Sequence, residues 1–386
     1  VAANAGKQAE TAQAHGTTAA SSETTAHAGF LRGHRRAALT VLGALVLGGF
    51  VYYVIPQIAG LGPTLRRLRA GDPWWLALGA VLEAISIAGQ VALFRGVFAR
   101  PDNRVGWRIS TEITMAGGVA TKLVATAGAG GIALTVWALR GVGLSATEVA
   151  TRMVCYEILT YAVYMAALAV GGLGLWFGVF AGPAPIWLTL VPALFGVATI
   201  VIVASMLFID EPVERFLLRR AVASRGRAKR WWQRAAALPR SLQGGLHAAL
   251  AIVRRRDPSL IGALVGWGFD IGALWASFHA FGHPPPPAQL VMGYYVGTLG
   301  NTLPLPGGIG GVEGGMIGSF LAFGVNGSLA VLAVLGYRTI SYWLPTLPGM
   351  IAYFRLRQGV AGHKDASGPS SPSDIRHANG SRPRHV

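Results

Sequence analysis

Asn301-Thr-Leu-Pro-Leu-Pro-Gly-Gly-Ile-Gly-Gly-Val-Glu-Gly-Gly315 is the stretch on which the reading of this chain turns. It lies in a nearly charge-free region, since between Pro258 and Met350 the Asp, Glu, Lys and Arg residues are Asp270, Glu313 and Arg338 alone. Two prolines and six glycines rule out an ordinary spanning helix, because proline removes a backbone donor and glycine weakens the helix. Where bilayer surrounds such a segment, its freed backbone groups must be satisfied by protein or must line a wet cavity. Broken backbone at membrane depth that carries an acid marks a candidate site.

Composition agrees with a membrane setting. Hydrophobic residues make up 52% of the 386 residues and charged residues 13%, with a mean hydropathy of +0.47. A soluble chain carries about 25% charged residues. The class expected is an all-α polytopic integral membrane protein. The formal charge of +17 is concentrated in the tails and between apolar segments, as inside-positive orientation requires. It forms no basic stripe with interleaved aromatics, so no nucleic-acid partner is expected. Cys155 is a single cysteine in an apolar segment and supports neither a disulfide nor a cysteine metal cluster.

Apolar runs fall at Ala37–Ile58, Pro73–Phe98, Ser110–Leu139, Ala146–Leu175, Ile186–Ile209, Ser259–Phe281, Gln289–Phe323 and Ser328–Phe354. Six read as ordinary spans of about 20 residues or more. Ser110–Leu139 contains Gly117-Gly118, Lys122 and Gly128-Ala-Gly-Gly131, and Gln289–Phe323 contains the proline and glycine stretch. Charge parity separates these two from the rest. With the N-terminal arginines inside, a single crossing at Ser110–Leu139 would put Glu211–Arg256 outside. That segment holds twelve Lys or Arg and two acids, against the orientation rule. The conflict disappears if Ser110–Leu139 enters and leaves on one side, and the same argument folds Gln289–Phe323 back on itself. One cost is that Arg66, Arg67 and Arg69 then lie in an outer loop.

The expected architecture is therefore about six full spans plus two broken, re-entrant helical hairpins. Helix, hairpin, helix recurs with opposite starting sides, which is an inverted repeat. The alternative is a set of glycine-rich helices packed closely by small residues. The chain divides into a tail at 1–30, a first membrane half at 31–210, a basic insert at 211–256, a second membrane half at 257–357 and a second tail at 358–386. Both termini and the insert are expected on the cytoplasmic side of a cell membrane. In the insert, Leu242, Leu246, Ala249, Leu250 and Val253 recur at helical spacing beside Arg254–Arg256, a pattern suited to an anionic leaflet or to a plain basic connector.

Seven ionisable residues fall within apolar runs: Glu83, Glu112, Lys122, Glu157, Asp270, Glu313 and Arg338. Each costs several kcal/mol near the bilayer centre, roughly 2.5 to 3.5 on insertion scales, unless paired or hydrated. Glu83 and Glu112 are expected near a membrane face. Lys122 and Arg338 are expected to meet the phosphate of a lipid, with Asn301, Gly307, Gly308, Gly310 and Gly311 presenting backbone to it. Glu313 would hold a cation when substrate is absent, or carry a proton. Asp270 is placed as a partner for Arg338. A structural ion-pair network is the competing account of the same residues.

Other signals point away from soluble chemistry. Gly307-Gly308-Ile309-Gly310-Gly311 lacks the Lys-Ser/Thr of a phosphate loop and a preceding strand. His279 and His283 have no third ligand and Pro284 follows directly, so no metal and no cofactor are expected.

Leu303-Pro-Leu-Pro-Gly-Gly-Ile-Gly-Gly-Val-Glu313, followed by Gly336-Tyr-Arg338-Thr-Ile-Ser-Tyr-Trp343-Leu-Pro345, resembles the lysylphosphatidylglycerol synthase transmembrane family. Gly128-Ala-Gly-Gly131 and Leu139-Arg-Gly-Val-Gly-Leu-Ser145 resemble its first-half counterpart, and the likeness covers roughly residues 35–357. The resemblance implies movement of a charged or glycosylated lipid between leaflets, with weight on Glu313, Arg338 and the glycines between them. In the two-part enzymes of that family lysyl transfer belongs to a soluble domain after the membrane part. Here a short tail follows, so synthase activity is not expected. The partners implied are anionic or phosphate-bearing membrane lipids. A membrane enzyme or enzyme partner acting on lipid-linked intermediates, and a scaffold that recruits a protein through the basic insert, stand as alternatives.

Overall fold

Proline and glycine set the ends of the helices, and small residues set how closely they pack. The computed structural model describes residues 71–99, 105–123, 129–207, 220, 241–302 and 308–366. The expected span Ala37–Ile58, the tail 1–30, residues 367–386, most of the basic insert, Ala125–Gly128 and Leu303–Gly307 lie outside them.

Helix α1 runs Pro73–Phe98. It opens with Pro73 in its first turn, and the Asp72 carboxylate accepts from the Trp74 N–H at 3.0 Å. Helix α2 is Trp107–Leu123 and α3 is Ala129–Gly141. Helix α4, Ala146–Trp176, is capped by the Ser145 hydroxyl, which accepts from Glu148 N–H at 3.2 Å. Helix α5 is Leu190–Ser205 and α6 is Ser259–Phe281. Helix α7, Pro287–Thr298, continues into a 3-10 turn at Leu299–Thr302; α8 is Gly311–Ala322. Helix α9, Gly327–Arg338, passes through a π-helical turn at Thr339–Trp343 into α10, Thr346–Ala366. The chain is thus an all-α polytopic membrane protein. Among the described residues, α1, α4 and α6 are long and apolar enough to cross a bilayer.

Both segments singled out by their glycines divide into two helices. Within Gln289–Phe323, α7 and α8 have 12 residues each, about 18 Å against a hydrocarbon core of about 30 Å. They pack antiparallel along glycines: a Cβ at Gly293 would lie 2.4 Å from Phe320, at Gly297 2.7 Å from the Met316 nitrogen, and at Gly300 2.3 Å from Gly311. Helices α2 and α3 pack in the same sense, where a Cβ at Gly131 would lie 2.7 Å from the Gly117 carbonyl oxygen. Ser328–Phe354, expected as one ordinary span, is instead interrupted between α9 and α10. Pro345 has no N–H to return to Ser341 at helical spacing, and Pro348 has none for Leu344, so the ladder opens there.

Helices α1 and α6 run antiparallel along their whole length. The Asp72 N–H donates to Ala280 O at 2.9 Å at one end. In the middle the Ser86 hydroxyl donates to Gly266 O at 2.7 Å, and a Cβ at Gly262 would stand 2.5 Å from Gly89 O. Such contacts are how helices associate in lipid, where burying apolar surface gives no drive and close backbone approach does. Helix α2 packs on α10, α7 packs on α4, and α5 covers α4. In the insert, residues 241–254 are helical; Leu246 and Ala249 are buried while Leu242 and Val253 stay exposed. Gly245 abuts Val154 of α4, so part of the stripe expected to meet lipid packs on the protein's own helix.

Gly262→Leu is expected to overpack the α1–α6 contact and lower stability by more than about 1 to 3 kcal/mol. Gly268→Ala, where an added Cβ meets nothing within 4 Å, is expected to leave stability unchanged or raise it by up to about 1 kcal/mol. Thermal unfolding of the detergent-solubilised variants checks both.

Candidate functional site

The interruption between α9 and α10 positions the site. The Lys122 Nζ, in the last turn of α2, donates to Ser341 O and Tyr342 O at 3.1 Å each. It thereby supplies a donor where Pro345 cannot, and places a cation at the carbonyl end of a helix fragment. Thr346 Oγ1 adds a second bond to Tyr342 O at 2.6 Å. The Tyr342 ring is flanked by two cations, Lys122 and Arg338, each 5.0 Å from its centroid.

Arg338 closes α9. Its Nε donates to Glu313 Oε1 at 2.6 Å, and the second Glu313 oxygen accepts from the Gly310 N–H at 2.7 Å. Glu313 is thus at once the acid of the α8 first turn and the partner of Arg338, tying α8 to α9. Gly310 and Gly308 have φ of +83° and +64°, in the left-handed region that glycine tolerates. A Cβ on Gly308 would meet Asn301 Oδ1 at 2.2 Å. Gly311 starts α8 pressed against Gly300. Gly307 lies outside the described residues.

Asp270, in the middle of α6, accepts from Tyr294 Oη at 2.5 Å and from Tyr337 Oη at 2.7 Å, one hydroxyl to each oxygen. This differs from the expected Asp270–Arg338 pair. Glu313 takes Arg338 because α8 packs directly on α9, while the tyrosines of α7 and α9 reach the acid on α6. Behind Tyr294, Tyr164 stacks on Trp267 at 5.5 Å and its hydroxyl donates to Tyr295 O at 2.7 Å. Trp267 Nε1 donates to Thr160 O at 2.9 Å.

These groups surround a cavity of about 450 Å³, within the range of small-molecule sites, roughly 300 to 1,000 Å³. Among the described residues, its bases are Lys122 and Arg338 and its acids are Glu83, Glu157 and Asp270. Asn301, Thr298, Tyr161 and Gln90 add neutral polar groups, and Trp267, Met316 and Leu93 add apolar wall. Lys122, Arg338, Asp270 and Asn301 of the expected set therefore share one cavity. Glu313 stands one residue behind it, through Arg338.

Glu83, expected near a membrane face, is instead 5% exposed, and its Oε2 has no hydrogen-bond partner. It stands level with Asp270 across the α1–α6 seam, since a Cβ at Gly79 would lie 3.5 Å from Ala273 O and Ser86 bonds Gly266 O on its other side. A periodicity along α1 was available to find it. Gly79, Glu83, Ser86 and Gln90 recur at steps of four, three and four residues, a small and polar stripe on a spanning helix that must face protein. Tyr294 and Tyr337 carried no such signal. Glu112 pairs at 3.1 Å with the exposed Arg108 one turn away. His279 lies on Trp75, ring centroids 4.3 Å apart, with Trp275 edge-on at 4.4 Å.

Lys122→Met is expected to take the lysine donor from the Ser341 carbonyl, Tyr342 O keeping its bond from Thr346 Oγ1, and to lower stability by about 1 to 3 kcal/mol. Pro345→Ala, which restores an N–H at helical spacing from Ser341, is expected to recover part of that loss. A double-mutant cycle on thermal unfolding reads the coupling.

Residues 40–349 match the sequence family described as the lysylphosphatidylglycerol synthase TM region. Two UPF0104 membrane proteins of Methanothermobacter thermautotrophicus are similar along most of the chain. One is 25% identical over 342 residues, covering 84% of this chain and 94% of the relative. The second is 25% identical over 332 residues, covering 83% and 95%. A third from the same organism is 36% identical over 90 residues, 23% of this chain and 27% of the relative. With a family match over far more than half its length, the chain belongs to the lysylphosphatidylglycerol synthase transmembrane-region family.

Proposed function

We propose that this protein moves a phosphate-bearing lipid headgroup between leaflets. The observation that carries this reading is the polar cavity of about 450 Å³ between spanning helices, with Lys122 and Arg338 in its wall. A phospholipid crosses a bilayer slowly because its headgroup must shed water. A cavity with two bases, neutral hydrogen-bonding groups and apolar walls lowers that barrier while the tails stay in hydrocarbon. Family membership supports lipid handling.

The working architecture proposed is an inverted repeat, with α1 to α4 forming one half and α6 to α10 the other. Reciprocal packing supports it: the first helices of the halves, α1 and α6, pair antiparallel, α2 of the first hairpin packs on α10, and α7 of the second packs on α4. Such an arrangement lets each hairpin rock against the opposite half around a fixed site. We place the basic insert and both termini on the cytoplasmic side, by the charge rule.

We favour transport over catalysis because Glu313, the acid an embedded enzyme would use for proton transfer, already binds Arg338 and the Gly310 N–H. The full chain, purified and reconstituted in liposomes, is expected to accelerate exchange of fluorescent phospholipids between leaflets, read by quenching of the outer leaflet. Arg338→Ala and Glu313→Gln are expected to slow that exchange roughly tenfold to a hundredfold, as loss of one charge-assisted bond predicts. Wild-type rates in both folded variants, or chemical conversion of the added lipid, would overturn the reading.

A further inference from the structure

We infer that Glu83 and Asp270 hold one exchangeable proton between them, and that an anionic phosphodiester headgroup binds the cavity together with that proton. The inference rests on the headgroup reading above and assigns a proton site to the same cavity. It places on the α1–α6 pair the proton that the sequence reading offered Glu313 as an alternative to a bound cation.

The geometry carries it in three steps. Asp270 receives a tyrosine hydroxyl on each oxygen, the bonding of an ionised carboxylate, which keeps further lone pairs able to accept. Glu83 stands level with it across the α1–α6 seam, between the contacts of Gly79 with Ala273 and of Ser86 with Gly266, and both carboxyls line the same cavity; two ionised carboxylates so placed repel strongly. A proton is therefore required, and Glu83 carries it. Glu83 Oε2 is buried without a partner in the wall of the cavity. Lone pairs held dry at membrane depth fit a neutral acid better than an anion.

The charged and titratable groups that face Glu83 fix the sign of the linkage. Asp270 faces it from α6, Lys122 from α2, Glu157 and Tyr161 from α4, Tyr294 from α7, and Tyr337 and Arg338 from α9. Arg338 is balanced by Glu313, and Lys122 balances Asp270. With the proton on Glu83 this set is neutral, apart from Glu157. Loss of the proton adds a negative charge beside the place an anion would occupy. Proton and anion binding therefore reinforce each other.

The test uses the full chain in detergent, with dihexanoyl phosphatidylglycerol as probe and glycerophosphoglycerol as its tail-free counterpart. A phosphodiester keeps one charge across pH 5 to 9, a window that reaches the roughly 8 to 9 documented for buried glutamates, so any pH dependence belongs to the protein. Infrared difference spectra at neutral pH are expected to contain a carboxylic-acid C=O band that Glu83→Gln removes, Asp270→Asn removes or shifts, and Glu112→Gln leaves in place. Affinity for the lipid is expected to weaken with rising pH by up to about tenfold per unit, the limit for one linked proton. In Glu83→Gln that slope is expected to vanish. Tail-free headgroup binding with the same slope would assign recognition to the phosphodiester, and binding by the lipid alone would assign it to a headgroup presented from the bilayer; either supports the linkage. Absence of the band, its survival in Glu83→Gln, or affinity that rises with pH would overturn the inference. The band without binding of either probe would keep the proton on Glu83 and overturn the headgroup reading. Elution of each variant at the wild-type size, and the independent Asp270→Asn spectrum, separate these outcomes from misfolding.

Discussion

Hydrocarbon offers a free backbone carbonyl no water, and this constraint shapes the centre of the molecule. Pro345 removes a donor from the ladder between α9 and α10, and Lys122 reaches across from α2 to bond the two carbonyls at the break. The same lysine docks the first hairpin on the last helix, which is where α2 and α10 pack. A local defect in one helix is thus turned into a contact between distant parts of the chain. The π-helical turn beside it carries Tyr342, whose ring meets both Lys122 and Arg338.

Around the cavity, buried charges form two arrangements of different character. Arg338 and Glu313 form a short, direct pair, fixed at its acidic end by the Gly310 N–H. Asp270 is held by neutral tyrosine hydroxyls and leaves its neighbour Glu83 incompletely bonded. The first arrangement stabilises the junction of α8 with α9. The second leaves polar capacity inside a cavity.

Glycine serves two needs that composition alone does not separate. In α1, α6, α7 and α8 it removes side-chain bulk, so that backbones approach where lipid provides no hydrophobic drive. At Gly308 and Gly310 it supplies positive φ at the entrance to α8. Only the second group directs an N–H at Glu313 and seats Asn301 beside the cavity.

Membrane class, the bounds of α1 and α6, and the division of the two glycine-laden segments into paired short helices were legible in residue order. These depend on local properties: length of apolar run, placement of proline and glycine, and distribution of charge. That Lys122, Arg338 and Asp270 need compensation inside the protein was legible too, because an ionisable residue in an apolar run is conspicuous wherever the chain folds. Partner choice was not. Glu313 rather than Asp270 pairs with Arg338, Tyr294 and Tyr337 hold Asp270, and Glu83 belongs to the interior, because each outcome depends on which helix faces meet across sequence separations that no local pattern encodes. A one-dimensional pattern states that buried charges must be compensated; packing of α1, α6, α8 and α9 decides by what.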